Sequence, residues 1–196
     1  MVEQEQLAVA RARFGLGVTL TGPMYQQPLS DSIHADNLGR MMGGEVDALA
    51  YHWAVTKGED FHPLWPVAGG VTRTGTEVRV PFALPLGTSA LRIDDDWVLT
   101  VPDAGFIWTD DGAGVGIASV AIDGTEVVIT LDGDPGVTTS ETLEYAIFNA
   151  PDDTGWASGR GLIYADSGQP SVYYRRGFAV PPTIRHYSVR FKEILA

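Results

Sequence analysis

The sequence predicts an α+β fold: a short helix–strand–helix segment, then an antiparallel β-sandwich-like domain. Three observations predict it. Apolar residues recur at helical spacing in two stretches before residue 57. From residue 71 onward the period changes to two. Turn formers ("DDD", "PDAG", "TDDGAG", "DG", "DGDPG") then cut the chain into short strands, the grammar of sandwiches and barrels.

Residues 3–14 read as a helix, with Leu7, Ala10 and Phe14 on one face and Gly15 and Gly17 suited to a C-terminal cap. "VTLTGPMY" (18–25) reads as a strand and "QQPLSD" as a loop. From Ala35 to about Thr56 the pattern is helical again, with Leu38, Met41, Met42, Val46, Leu49 and Trp53 on one face. Gly39, Gly43 and Gly44 each weaken that helix by ~1 kcal/mol relative to Ala. The expected organisation is an α/β piece over 1–57, a Pro/Gly-rich linker over 58–70 and the β domain over 71–196. Within the β domain "TEVRVPFAL", "LRI", "WVLTV", "GFIWT", "GIASVAI", "EVVITL" and "LEYAIF" read as strands. "AIDGTEVVI" reads as a hairpin with Asp123–Gly124 at a type I′ turn. β character continues through "GLIYADS", "SVYYRRGF" and "RHYSVRFKEIL".

Composition narrows the function classes. The net charge is −12, which argues against nucleic acid or an anionic membrane as partner, since both need a basic surface to displace counterions. No apolar run approaches the ~18 residues of a membrane span, and the charged first residues lack the apolar core of a signal peptide. A soluble protein is expected, with a neutral ligand such as a sugar. Cysteine is absent, so thiolate catalysis and Cys-based metal sites are excluded, and no cofactor is implied.

The stretch "LSDSIHADNLGRMMGGE" carries the chemistry. Asp31 and His34 lie three apart at a predicted strand exit and helix entrance, the position where α/β sheets bind ligands. A carboxylate there can fix the imidazole tautomer and stabilise the imidazolium, which is two-thirds of a serine-hydrolase triad. The local alternative is a helix cap by Asp31, Ser32 or Asp36.

"PLSDSIHADNLGRMMGGEVDALA" resembles the C-terminal block of SGNH (GDSL-type) hydrolases, in which Asp-x-x-His supplies acid and base ahead of a Gly-bearing helix. Asp31, His34 and Gly39 match that block. "FHPLWP", "GTEVRVPF", "PDAGFIW", "SVAIDGTEVVITL" and "GLIYADSGQPS" are similar to the β-rich tail of carbohydrate esterases of the sialate O-acetylesterase and acetylxylan esterase type. The resemblance implies an acyl esterase in which His34 is the general base and Asp31 orients it. It also implies that the nucleophilic Ser and the oxyanion hole precede this block by a long interval. Only 30 residues precede Asp31, so another polypeptide is expected to carry those blocks. Ser32 cannot reach both partners in triad geometry, and Ser167 in "YADSG" reads as a turn residue.

The rival expectation is a non-catalytic structural or glycan-binding module, for instance a phage tail or virion component. Trp65, Trp97, Trp108 and Trp156 are candidate sugar-stacking residues, with sandwich core as their other reading. Extracellular or virion-associated placement suits either function. His52, His62 and His186 have no partners at metal-ligand spacing, and "DGDPG" fails the EF-hand pattern. "YYRRGF" (173–178) is a basic-aromatic spot that reads as a chain–chain contact.

Overall fold

Alternation along "EVRVPFA" places Val78, Val80 and Phe82 on one buried face of β3 (Glu77–Ala83), and the intervening residues on the other. The computed structural model describes residues 2–17, 19–23, 28–30, 34–111, 114–138, 140–147 and 160–195. β3 is the centre of a first sheet. It pairs antiparallel with β1 (Trp65–Pro66), β2 (Thr72–Thr74) and β7 (Glu126–Leu131), and β7 pairs with β6 (Ile117–Asp123). A second sheet runs β11–β8–β5, from Phe191–Leu195, Glu141–Tyr145 and Phe106–Asp110. A third runs β10–β9–β4, from Thr183–Tyr187, Ile163–Pro170 and Leu91–Ile93.

All three sheets contribute to one core. Val78, Val80, Val127 and Ile129 of the first sheet share it with Phe106, Leu143 and Phe191 of the second and Leu91, Ile163 and Ala165 of the third. Tyr145 and Phe191 stack at 5.3 Å, Phe106 lies 4.7 Å from Tyr145, and Phe82 meets Phe191 edge-on at 6.1 Å. The Tyr145 hydroxyl is satisfied by the Ile163 N–H at 2.9 Å. This close approach requires Gly161, where a Cβ would sit 2.3 Å from the Tyr145 ring. The antiparallel, sandwich-like β architecture expected from the period-two pattern is present.

Both long helices lie on this β structure. α1 (Val2–Ala12) contacts β11, and its Leu7 and Ala10 join the core. Arg11 donates to the Pro66 carbonyl, pairs with Glu193 at 3.6 Å and covers the Trp65 ring. α2 (Asn37–Tyr51) contacts β10, burying Gly39, Met42, Val46 and Ala50 at helical spacing, and continues as a π-helical turn over His52–Lys57. The 58–70 stretch is drawn into the core at Phe61 and Leu64, 1% and 0% exposed.

Four local expectations are corrected. Residues 19–23 of the predicted 18–25 strand join no sheet. Residues 97–101 form no strand, because Asp94 Oδ1 accepts the N–H groups of Asp96, Trp97 and Val98 and folds the chain into a turn. "SVYYRRGF" begins with a short helix, α3 (Val172–Arg175), capped by Ser171. In the β6–β7 hairpin Asp123 pairs with Glu126, so the turn residues are Gly124 and Thr125. Positive φ falls on Gly124 alone, the type II′ pattern rather than I′.

Candidate functional site

The described residues on either side of 31–33 are tied to each other. Leu29 bridges Ala35, the Asp36 N–H donates to the Pro28 carbonyl (2.8 Å), and the Ser30 N–H and hydroxyl both donate to the His34 carbonyl (2.8 and 3.2 Å). The cap of α2 is Asp36, which accepts the Gly39 N–H at 2.8 Å. Arg40 Nε closes the corner on the Ala35 carbonyl at 3.0 Å. These bonds hold the backbone of His34 and of the two residues after it against Pro28–Ser30, while the His34 side chain is exposed. Asp31 lies outside the described residues, as do Ser32 and Ile33. An exposed imidazole on a backbone held this way can accept a proton from a hydroxyl brought up from outside.

The tryptophans do not share one environment. Trp65 and Trp108 are each 8% exposed and belong to the core. His62 stacks on Trp65 at 4.8 Å and 6°, and Phe14 meets both rings edge-on. His62 Nδ1 lies 2.7 Å from the Pro63 carbonyl, and burial lowers its pKa. Trp97 is half-buried in the turn after β4, and Trp156 lies outside the described residues. His52 is exposed, edge-on to Trp53. Ser167 is not in a turn. It sits in an irregularity of β9, donating to the Ile184 carbonyl at 2.7 Å and accepting the Gln169 N–H at 3.1 Å. Among the described residues no three His, Cys, Asp or Glu side chains gather as a metal site.

Sequence reasoning missed a buried ionic cluster. Asp94 Oδ2 accepts from Arg185 at 3.0 Å and from the Tyr187 hydroxyl, while Arg185 also grips Asp96 through two nitrogens. The hydrogen bond from Arg185 holds the Asp96 carboxyl below its usual range, and burial pushes the Tyr187 phenol well up. The Arg185 guanidinium also lies 4.6 Å from the centre of the Tyr164 ring. The available signals were an Arg inside a strand ("TIRHY") and a triple Asp after an apolar strand. Both terminal nitrogens of Arg185 are bound to the Asp94 and Asp96 carboxylates while its Nε has no partner, and the cluster fastens β10 to β9 and to the turn after β4.

No protein family, no curated protein and no solved structure matches the chain.

Proposed function

We propose that the chain supplies the base and its orienting carboxylate to a serine carbohydrate O-acyl esterase. In this reading His34 is the general base, Asp31 orients it, and a separate polypeptide brings the nucleophilic Ser. The observation that supports it is the exposed His34 side chain, three residues from Asp31, on a loop pinned at Leu29–Ala35 and capped into α2 by Asp36.

The chemistry is two rounds of proton uptake and release at one imidazole. His34 takes the Ser proton as the hydroxyl oxygen attacks an acetyl ester, and returns it to the departing sugar hydroxyl. It then takes a proton from water as the water oxygen attacks the acyl-enzyme, and returns that proton to the departing Ser oxygen, releasing acetate. A serine-directed fluorophosphonate and p-nitrophenyl acetate, applied to the chain with its Ser-bearing partner, test this. Labelling of the partner Ser and turnover are expected, with His34→Ala lowering kcat by about 10³-fold or more. Full turnover in His34→Ala would sink the reading.

The rival, a non-catalytic module of a larger assembly such as a phage tail, is favoured by one feature: an exposed arginine–aromatic tip between β9 and β10.

A further inference from the structure

The tip, residues 171–180, leaves the β structure after β9 and returns at β10. It carries Arg175 and Arg176, both exposed, flanked by Val172, Tyr174 and Phe178 at 46%, 51% and 41% exposure. No Asp or Glu occurs within it. Neither arginine side chain has an ion-pair or hydrogen-bond partner among the described residues. Several other cations are paired: Arg11 with Glu193, Arg73 with Glu141 and Asp134, Arg79 with Glu126, Arg185 with Asp94 and Asp96, and Lys192 with Glu144.

The tip is held in one shape. Ser171 Oγ accepts the Tyr174 N–H (3.1 Å) and donates to Glu45 of α2 (3.1 Å), which also accepts the Val172 N–H (2.7 Å). The Arg176 and Phe178 N–H groups donate to the Tyr173 carbonyl and that of Gly177 to Tyr174. Gly177 takes φ +85° at the reversal, and Phe178 meets Tyr173 edge-on at 6.1 Å. A preorganised surface of Arg and Tyr loses little entropy on binding, and these residue types dominate binding hot spots.

We infer that this tip docks on a carboxylate-bearing face of a second copy of the chain. Charge complementarity argues for that occupant: a chain of net charge −12 surrounds a basic tip with copies that are rich in carboxylates. One such face is built where Gly116, just before β6, meets Asp132, just after β7. There Asp110 accepts the Gly114 N–H (3.2 Å) and Asp132 the Gly116 N–H (2.9 Å), while Asp134 accepts the Gly136 N–H (2.8 Å) and pairs with Arg73 at 3.5 Å. Repulsion between acidic copies is screened beyond about 8 Å at physiological salt, so a short-range complementary contact survives it. Tip and receiving face are different surfaces, so the contact is heterologous. This inference does not depend on the esterase reading.

Sedimentation equilibrium of the full chain in about 150 mM salt, up to about 100 µM protein, tests it. The weight-average mass is expected to rise above 21.1 kDa with concentration. Reversal of both arginines, R175E/R176E, is expected to weaken association by about tenfold or more. Reversal of the receiving side, D132R/D134R, is expected to do the same, and mixing the two variants to restore hetero-association. Y174S, which leaves the charges in place, is expected to weaken association with an unchanged circular-dichroism spectrum. A wild-type chain that stays monomeric, association indifferent to R175E/R176E, or a monomer whose tip instead binds an oligonucleotide would each overturn the inference.

Discussion

Burial strips the His186 imidazole of its hydration, and neither ring nitrogen finds a hydrogen-bond partner. Burial is the main cause of its pKa falling to about 4, with His62 lowering it further and Asp166 opposing. The folded state therefore refuses a proton that the unfolded state accepts near its ordinary value of 6.5. Above that value both states are neutral and the residue contributes no pH dependence. As pH falls from about 6.5 towards 4 the unfolded state gains the proton alone, and stability drops by about 3 kcal/mol in all. Below 4 both states are charged and the loss levels off. Urea midpoints of wild type and His186→Leu across this range isolate the effect from the carboxylates. The variant is expected to hold its stability while wild type loses it, and parallel curves would refute the assignment. Such single-residue effects are poorly legible in sequence. His186, like Asp94 and Arg185, owes its character to partners brought together across about 90 positions or to their absence. His34 stands out in the sequence because the pattern that marks it, an Asp three residues before and a helical period after, is local in the chain.

Elements were read well where periodicity follows burial, as in β3, β7 and both long helices, and badly where a single side chain redirects the backbone. Asp94 pulls residues 96–98 into a turn despite the strand-like "WVLTV", and Ser171 with Glu45 nucleates a helix in β-like "SVYYRRGF". Neither competition shows in hydrophobic pattern, because a side chain to backbone bond is decided by local geometry. The glycines of α2 also divide at this scale. Gly39 is buried, where a small residue suits close packing, whereas a Cβ on Gly44 would meet nothing within 4 Å. Gly44→Ala is expected to raise stability by about 0.5–1 kcal/mol, because it removes backbone entropy from the unfolded chain and disturbs no contact. A denaturant midpoint unchanged or lowered by the substitution would mean that Gly44 serves an approach not made by the protein's own atoms.

At the scale of the molecule, one core joins segments that sequence grammar separates. Change of period at residue 57 marks where helices give way to strands, yet Leu7 and Ala10 of α1 are buried with Phe82, Phe106 and Phe191. The first helix is therefore a layer of the β structure, fastened by Arg11 to Pro66 and Glu193 and by Phe14 to the His62–Trp65 stack. Leu7→Ala removes a side chain that is 4% exposed and is expected to cost about 2–4 kcal/mol, the transfer of the lost methyl groups plus the cavity left behind. Because the core is shared, that cost should lower one cooperative transition. Helical circular dichroism and tryptophan fluorescence should then fall together, since Trp65 lies under Arg11 and beside Phe14. A helix signal that melts ahead of the fluorescence in Leu7→Ala would instead make α1 a separately unfolding arm. The His34 loop, between α1 and α2, would then be anchored from one side only.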